Sequence, residues 1–484
     1  MQRRPATRCE LGSNRDFVSD SKPGRLIVIG GGLAGCEAAW QASLCGVEVE
    51  LFEMRPQRSG PAHQTADLAE LVCSNSLRGA ALENAVGLLK EELAELDSLI
   101  VSSARETAVP AGGALAVDRG RFAQSVQTRL AARRGITIRR EEIAHIPRDR
   151  PVIVACGPLP SDELLADIDA LVRAVGGKHG GRLHYYDAAS PIVAADSIDC
   201  TQMYAKARYD KGNGDDYLNI PLDAAAYEQL LTDLRTLPKH QPKDFELDAQ
   251  SGRIPFFEGC LPVEEMARRG DDVLRFGPLK PVGLRDPRTG STPYAVVQLR
   301  KENVQGTAFN MVGFQTRLTW PAQKEAFAKL PGLSQAEWLR LGVMHRNTFI
   351  DSPRLLDCEL RLHGFEALHF AGQITGAEGY VEAAASGALA GINAARRILA
   401  LQPLPVPPQT ALGAVLAHLQ NTASADFQPS NVTWAFFPAP GARVRDKRER
   451  RRQMARSALD AVRGFKAELG RARAADGTLC ARVG

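Results

Sequence analysis

Apolar and polar positions follow two periods along the first third of the chain. Arg25-Leu-Ile-Val-Ile29 is an apolar run of strand length. Cys36 to Cys45 has helical spacing closed by Gly46, and Val47 to Phe52 alternates as a second strand ending on Glu53. A short helical pattern, Ala66 to Val72, precedes the polar break Cys73-Ser-Asn-Ser76, and helical spacing returns from Leu82 to Ile100. Ala114 to Asp118 reads as strand, and Arg121 to Arg134 as a helix stopped by Gly135. Ile136 to Ile146 is expected as an edge hairpin, and Pro151 to Gly157 as another buried parallel strand. Elements in this order predict a doubly wound α/β unit.

The pattern changes between about Leu183 and Val343, where aromatics, Gly and Pro turns and short runs such as Tyr294 to Leu299 and Ala308 to Phe314 predict an inserted α+β domain. The earlier character returns at His369-Phe-Ala-Gly372, followed by a Gly-rich turn and a small-residue helix, Val381 to Leu399. Pro403, Pro405, Pro407 and Pro408 mark a linker before a helical tail. The expected organisation is a disordered extension over 1–23, a nucleotide-binding domain over 24–184 and 344–402, the insertion over 185–343, and linker plus basic helical region over 403–484.

Between the first strand and helix, Gly30-Gly-Gly-Leu-Ala-Gly35 contains the spacing GxGxxG. Gly30 makes the turn, Gly32 lets the backbone approach a pyrophosphate, and Gly35 lets helix pack on strand. Gly31, Leu33 and Ala34 complete a phosphate cradle at a helix amino terminus. Glu53 lies where an acid accepts hydrogen bonds from an adenosine ribose. The alternative is a structural glycine turn; strand, helix, second strand and acid in order favour dinucleotide binding. One such half leaves NAD, FAD and S-adenosylmethionine open. Ala371 to Gly387 places Gly372, Gly376, Gly379 and Tyr380 before a helix with an Ala/Gly face, as in the late flavin-contact segment of two-dinucleotide-fold flavoproteins. FAD is therefore the expected cofactor of a Rossmann-like, two-dinucleotide-fold domain.

The formal net charge is +4, but Gly441 to Arg456 holds eight Arg or Lys against two acids. That asymmetry points to a polyanionic partner at the carboxyl-terminal region. Nine scattered cysteines with no CxxC pair predict neither a disulfide framework nor a metal site, and a reducing cytoplasm. No apolar run reaches about 18 residues, so no membrane span is expected. Residues 1–24 lack an apolar signal core and read as a disordered extension or an overlong reading-frame start.

Several blocks carry a family resemblance: Gly30 to Gly35, Phe52-Glu-Met-Arg-Pro56, Leu71-Val-Cys-Ser-Asn-Ser-Leu77, Val109-Pro-Ala-Gly-Gly-Ala-Leu115, Tyr185-Tyr-Asp-Ala-Ala-Ser-Pro191, Phe256-Phe-Glu-Gly-Cys-Leu-Pro262, Leu279-Lys-Pro-Val-Gly283 and Met344-His-Arg-Asn-Thr348. Together, from about Leu26 into the tail, the chain resembles the folate- and FAD-dependent tRNA (uracil-5-)-methyltransferases. Gln373 to Gly387 also resembles the related glucose-inhibited division protein A family. The resemblance implies methylation at carbon 5 of uridine 54 in the T-loop of tRNA, with carbon from 5,10-methylenetetrahydrofolate and electrons from FAD reduced by NADPH or NADH. It also implies a cytoplasmic monomer or homodimer that engages the tRNA T-arm without metal or membrane.

Uracil carbon 5 is a poor nucleophile until a thiolate adds to carbon 6, and a base must later remove the carbon 5 proton. Cys260 stands just before a predicted helix, Pro262 to Arg269, whose amino terminus stabilises a thiolate, so it is assigned as nucleophile. Cys73, in a polar loop where the family places a cysteine near the flavin, is assigned as base. The residues themselves leave the two roles exchangeable. Cys36, Cys45, Cys156, Cys200 and Cys358 read as packing, and Leu218-Asn-Ile-Pro221 has Ile where the family reads Cys. By the resemblance, His345 stacks on the folate pterin and Tyr380 contacts flavin or pterin. Gln373 replaces a common ribityl-binding Asp. Arg448, Arg450, Arg451, Arg452 and Lys280 are the expected tRNA contacts, against the alternative of a solvated charged helix.

Three competing readings are the flavoprotein subunit of wobble-uridine modification, a small-molecule FAD oxidoreductase, and a silent flavin-containing RNA binder. The first has a longer helical carboxyl-terminal domain. The second leaves the basic tail and the paired cysteines without a use, and the third is disfavoured by the presence of both Cys73 and Cys260.

Overall fold

The computed structural model describes residues 25–176, 182–240, 256, 261–422, 427–439 and 445–480. Five parallel strands form its first sheet, in the order Leu368–Phe370, Val152–Val154, Leu26–Ile29, Val49–Phe52, Ile136–Arg139. The first strand is central. The chain winds outward from it to one edge, then reverses to build the other, which opens a crevice at the carboxyl ends of the strands. Val28 lies opposite both Leu51 and Ile153, all fully buried; Leu26–Ile29 and Val152–Val154 are buried throughout and read as continuous apolar runs, whereas Val49–Phe52 alternates.

The helix Leu33–Leu44 packs against Tyr380–Ile398, and the small residues of the latter have a backbone reason. A Cβ on Gly387 would lie 2.2 Å from the Ala34 carbonyl oxygen, and one on Gly391 2.4 Å from that of Ala38. The expected helix Leu82 to Ile100 is two helices, Ala85–Glu95 and Leu99–Glu106, broken at Asp97 in the left-handed region. Ser98 caps the second, and the buried Glu37 accepts from Ser98 Oγ and the Ile100 amide.

Two local expectations are corrected. Residues 66–72 are turns and loop, because Leu68, Ala69 and Leu71 are buried beneath the Gly31 turn, where the Ala69 amide donates to the Gly31 carbonyl. Residues 136–146 form no hairpin. Ile136–Arg139 is a single edge strand parallel to Val49–Phe52, since its alternation fits a one-sided edge whose partner lies far away in sequence.

The second sheet is antiparallel, in the order Tyr204–Ala205, Tyr217–Leu222, Ala295–Lys301, Ala308–Met311, Ile192–Ala194, Trp338–Arg340. It shares a separate core with the helices Ala224–Thr236, Val263–Arg269 and Trp320–Ala328, including Ile220, Leu230, Val297, Phe314 and Phe327. Ile220 packs in that core, in accord with the absence of a thiol there. The chain enters and leaves this region on two strands, Arg182–Ala188 and Met344–Ile350, paired antiparallel along their length. A smaller sheet, Ser76–Gly79, Ala114–Val117 and Ala108–Val109, falls in sequence between the Val49–Phe52 and Ile136–Arg139 strands of the first and carries the Cys73 loop at its start.

The tail helix, Lys447–Cys480, lies along Ala85–Glu95 and buries Ala455, Ala458, Val462, Phe465 and Leu469, a three-four spacing that keeps one face inward. Among the described residues no helix is long and apolar enough to cross a membrane.

Candidate functional site

A cavity of about 370 Å³ begins at the glycine turn and ends at the Cys73 loop. Gly30 has φ 107°, and a Cβ there would lie 2.4 Å from the Ala155 carbonyl oxygen; one on Gly35 would lie 1.8 Å from the Gly30 oxygen. Both glycines therefore hold strand, turn and helix together. Gly32 differs: it lines the cavity, and a Cβ on it would meet nothing within 4 Å. It is also the cap of the Leu33–Leu44 helix with no side-chain capping bond, so the first amides face open space, which suits a diphosphate.

Glu53 ends its strand at this turn and is buried, accepting from the Gly31 amide at 2.9 Å. Arg55, 1% exposed, grips it with Nε at 2.8 Å and Nη2 at 2.9 Å and donates its amide as well. Burial pushes the Glu53 carboxyl up, but the hydrogen bonds and charge of Arg55 outweigh it and hold the group ionised, below its ordinary range. Arg55 also pairs with Glu70 at 3.1 Å. Both Glu53 oxygens are thus engaged, and a ribose hydroxyl has to share them.

At the far end, Tyr380 begins its helix, and its hydroxyl accepts from the amides of Cys73 at 2.8 Å and Ser74 at 3.1 Å. Burial, with Cys73 beside it, raises the Tyr380 phenol above its ordinary range, so it stays neutral. The loop is braced from two more directions. Arg119 donates to the Leu71 and Cys73 carbonyls while paired to Glu302, and Arg300, from the antiparallel sheet, donates to Ser74 Oγ and Asn75 Oδ1 at 2.8 Å each. The Cys73 thiol lies 3.8 Å from the Ala188 carbonyl and lines the cavity.

Gly372 and Gly379 line the cavity; Gly376 does not, since a Cβ on it would strike the Phe427 ring at 2.6 Å. Gln373 donates to Glu378 at 2.6 Å, and both reach the cavity wall. Buried Glu382 pairs with Arg78 and accepts from the Val432 amide through Oε1. Its Oε2 has no hydrogen-bond partner among the described residues, which leaves a buried acceptor beside Gly379.

Cys260 lies outside the described residues. Just beyond it, Val263 donates to the carbonyl of Gln315, a cavity-lining residue. The helix Val263–Arg269 carries Glu264 and Glu265 in its first turn, and these already oppose the positive end that a thiolate would use. His345 is in the Met344–Ile350 strand opposite Asp187, and its side chain lies outside the described residues. Lys280 sits in a turn whose carbonyl accepts from Arg208 at 2.7 Å, away from the cavity lining. In the tail, Arg448 and Arg452 pair with Glu83 and Arg451 lies over Trp434, while Arg450 has no ion pair among the described residues. These contacts serve docking of the tail as well as charge.

The remaining cysteines divide. Cys36 is buried and its thiol donates to the Gly31 carbonyl, and burial pushes the Cys156 thiol up to about 12. Cys200 and Cys358 are exposed, contrary to the packing expected of them, because Cys200 opens a single 3-10 turn of helix, Cys200–Gln202, with no buried residue and Cys358 sits in a surface turn. Sequence reasoning missed Arg55, Arg119, Arg300 and Glu382. Arg55, two residues from Glu53, and Glu382, two residues from Tyr380, carried a local signal; Arg119 and Arg300 reach the Cys73 loop from distant segments.

A groove that joins a diphosphate cradle and ribose acid to a loop thiol fits a dinucleotide whose reactive end faces chemistry at Cys73. The family model Glucose inhibited division protein A matches residues 25–402. The "Methylenetetrahydrofolate--tRNA-(uracil-5-)-methyltransferase TrmFO" of Geobacter sulfurreducens is 53% identical over 436 residues, 90% of this chain and 97% of that protein. The protein of the same name from Heliobacterium modesticaldum is 54% identical over 444 residues, covering 92% and 98%. Among solved structures, Aquifex aeolicus GidA in its form II crystal aligns with TM-score 0.66 at 16% identity, covering 92% of this chain and 73% of that one, a likeness of fold.

Proposed function

The chain belongs to the glucose-inhibited division protein A family, within the branch of methylenetetrahydrofolate--tRNA-(uracil-5-)-methyltransferases, and from that membership we propose how its residues divide the reaction. It methylates uracil at carbon 5 in tRNA, taking the carbon from methylenetetrahydrofolate. In our reading the target is uridine 54 of the T-loop and the setting is the cytoplasm. The observation that carries the activity is identity above half along nearly the whole of those relatives.

FAD is the cofactor and, once reduced by NADPH or NADH, supplies the electrons that turn a methylene into a methyl group. The Gly30 to Gly35 turn would hold its diphosphate and Glu53 with Arg55 its ribose, and the cavity-lining Gly372 and Gly379 would meet its ring end. Cys260 adds as thiolate to uracil carbon 6, which places an enolate at carbon 5 to attack the one-carbon unit. Cys73 then takes the carbon 5 proton as tetrahydrofolate departs, the reductant's electrons complete the methyl group at the exocyclic carbon so exposed, and elimination restores the carbon 5–carbon 6 double bond and returns the Cys260 thiolate. Support for Cys73 is its place at the cavity end on a loop held by Tyr380, Arg119 and Arg300. Support for Cys260 is the anchoring of the helix that follows it to Gln315. His345 stacks on the pterin, on the strand that crosses between the two sheets.

Isotope tracing tests the activity. Purified protein, undermodified tRNA, NADPH and methylene-labelled folate should yield labelled 5-methyluridine by mass spectrometry, and methyl-labelled S-adenosylmethionine should yield none. Label from S-adenosylmethionine alone overturns the folate route, and no label from either returns the small-molecule oxidoreductase. For the roles, Cys260→Ala is expected to abolish covalent trapping by 5-fluorouridine RNA, and a complex surviving in that variant removes Cys260 as nucleophile.

A further inference from the structure

We propose that residues 208–211 and 276–283, on the antiparallel-sheet domain, form a stacking platform for unpaired nucleotides of the RNA substrate. The proposal rests on the tRNA-modifying reading above and names where that substrate lies outside the cavity.

Phe276 is 78% exposed and Tyr209 58%. Single exposed apolar side chains are common, and what sets these two apart is their surroundings. Tyr209 sits at φ 59°, a left-handed conformation that strains a non-glycine residue. Its ring covers Gly283, where a Cβ would lie 2.8 Å from the ring carbons, so the ring is held against backbone with much of its surface in solvent. Arg208 binds the two segments together, donating to the carbonyls of Lys280 and Val282. Two turns, closed by the Lys280 amide on the Gly277 carbonyl and by the Leu284 amide on the Pro281 carbonyl, fold the stretch that joins Phe276 to Gly283.

The charges around the aromatics favour an anion. The acids are matched or turned in: Asp210 pairs with Lys206, Asp271 with Arg235 and Asp272 with Arg275, while Asp216 accepts from the Gly112 amide. Asp215 is the exposed exception. Arg208, Lys211, Lys280 and Arg285 have no acid partner among the described residues. Aromatic faces beside cations that no acid neutralises are what single-stranded nucleic acid requires, bases stacking on rings and phosphates meeting charge.

The platform is also continuous with the tail. Lys211 covers Gly113, whose carbonyl accepts from the Ala80 amide at 2.9 Å. Next to Ala80, Gly79 shares a recess with Trp434 and Arg451, and Arg78 lines the cavity. Lys211 thus links the platform, through Gly113 and the Ser76–Gly79 strand, to the cavity-lining Arg78 and to the tail recess, an arrangement suited to holding a loop while one uridine is extruded.

The test uses full-length protein, an unmodified tRNA transcript, and the variants Tyr209→Leu, Phe276→Ala and Lys211→Glu, singly and with Lys280→Glu. Dissociation constants are measured across a salt series, alongside thermal midpoint, bound flavin and NADPH oxidation. The expected result is a Kd raised about tenfold for loss of either ring and a salt slope reduced by about one per reversed lysine, with the other three readouts unchanged. Wild-type affinity and slope in every variant, while the wild-type protein methylates tRNA, overturns the platform and spares the reading. A wild-type protein that neither binds nor methylates tRNA overturns both. If a ring variant melts early, Lys211→Glu on its exposed side chain decides, an unchanged slope counting against the platform.

Discussion

Gly32 and Gly35 stand three residues apart in one turn and do opposite work. A methyl group on Gly35 would collide with the Gly30 carbonyl, whereas one on Gly32 would enter open space at the cavity wall. Gly35→Ala should therefore destabilise the protein by about 3 kcal/mol or more in a denaturant titration, as overpacking against backbone does. Gly32→Ala should melt as wild type but lose flavin on gel filtration, and retention of flavin would remove Gly32 from the diphosphate site. Tyr380 is the corresponding residue at the reactive end. Tyr380→Phe leaves the Cys73 and Ser74 amides without their acceptor, a loss of about 1–3 kcal/mol in a buried site. Flavin content should persist, because the ring remains, while single-turnover methylation falls at least tenfold; unchanged turnover would show that the hydroxyl has no part in placing Cys73. The glycine turn and Glu53 were readable because they are local motifs. The Tyr380 bonds were not, since they join residues about three hundred positions apart.

At the scale of elements, periodicity found most helices because each buries one face, and it erred where a loop is itself buried, as at residues 66–72. The tail shows how an element changes the meaning of its residues. Read as a charged helix, its arginines are equivalent; docked on Ala85–Glu95, Arg448 and Arg452 are tied to Glu83 and Arg463 to Glu95, while Arg450 and Arg456 have no ion pair among the described residues. Reversing Arg450 and Arg456 to Glu is therefore expected to lower the salt slope of tRNA binding by about two at an unchanged thermal midpoint. Reversing Arg452 should lower slope and midpoint together. An unchanged slope in the first variant would leave the tail a structural helix.

For the whole molecule, two sheets with separate cores are joined by the paired strands Arg182–Ala188 and Met344–Ile350, and the Cys73 loop is gripped from both sides, by Tyr380 and Arg119 on one and Arg300 on the other. Global stability also carries a pH dependence that can be isolated. Burial between Phe427 and Phe436 pushes the His418 imidazole down to about 4, from an ordinary value of 6.5. The folded state thus excludes a proton that the unfolded chain binds, so this residue's contribution is lost as pH falls from about 6.5 to 4, at about 1.4 kcal/mol per unit. His418→Phe should lose less stability than wild type between pH 7 and 5, and parallel curves would refute the assignment. By itself the sequence determined the α/β fold class with its parallel sheet, the glycine turn after the first strand and the family, because these rest on local motifs and on periodic burial. Only the tertiary structure decided that Arg55 shares Glu53, that Arg300 braces the Cys73 loop from the other sheet, and that tail arginines serve docking. Those pairings depend on which distant segments meet once each apolar face is buried, and no local pattern records that.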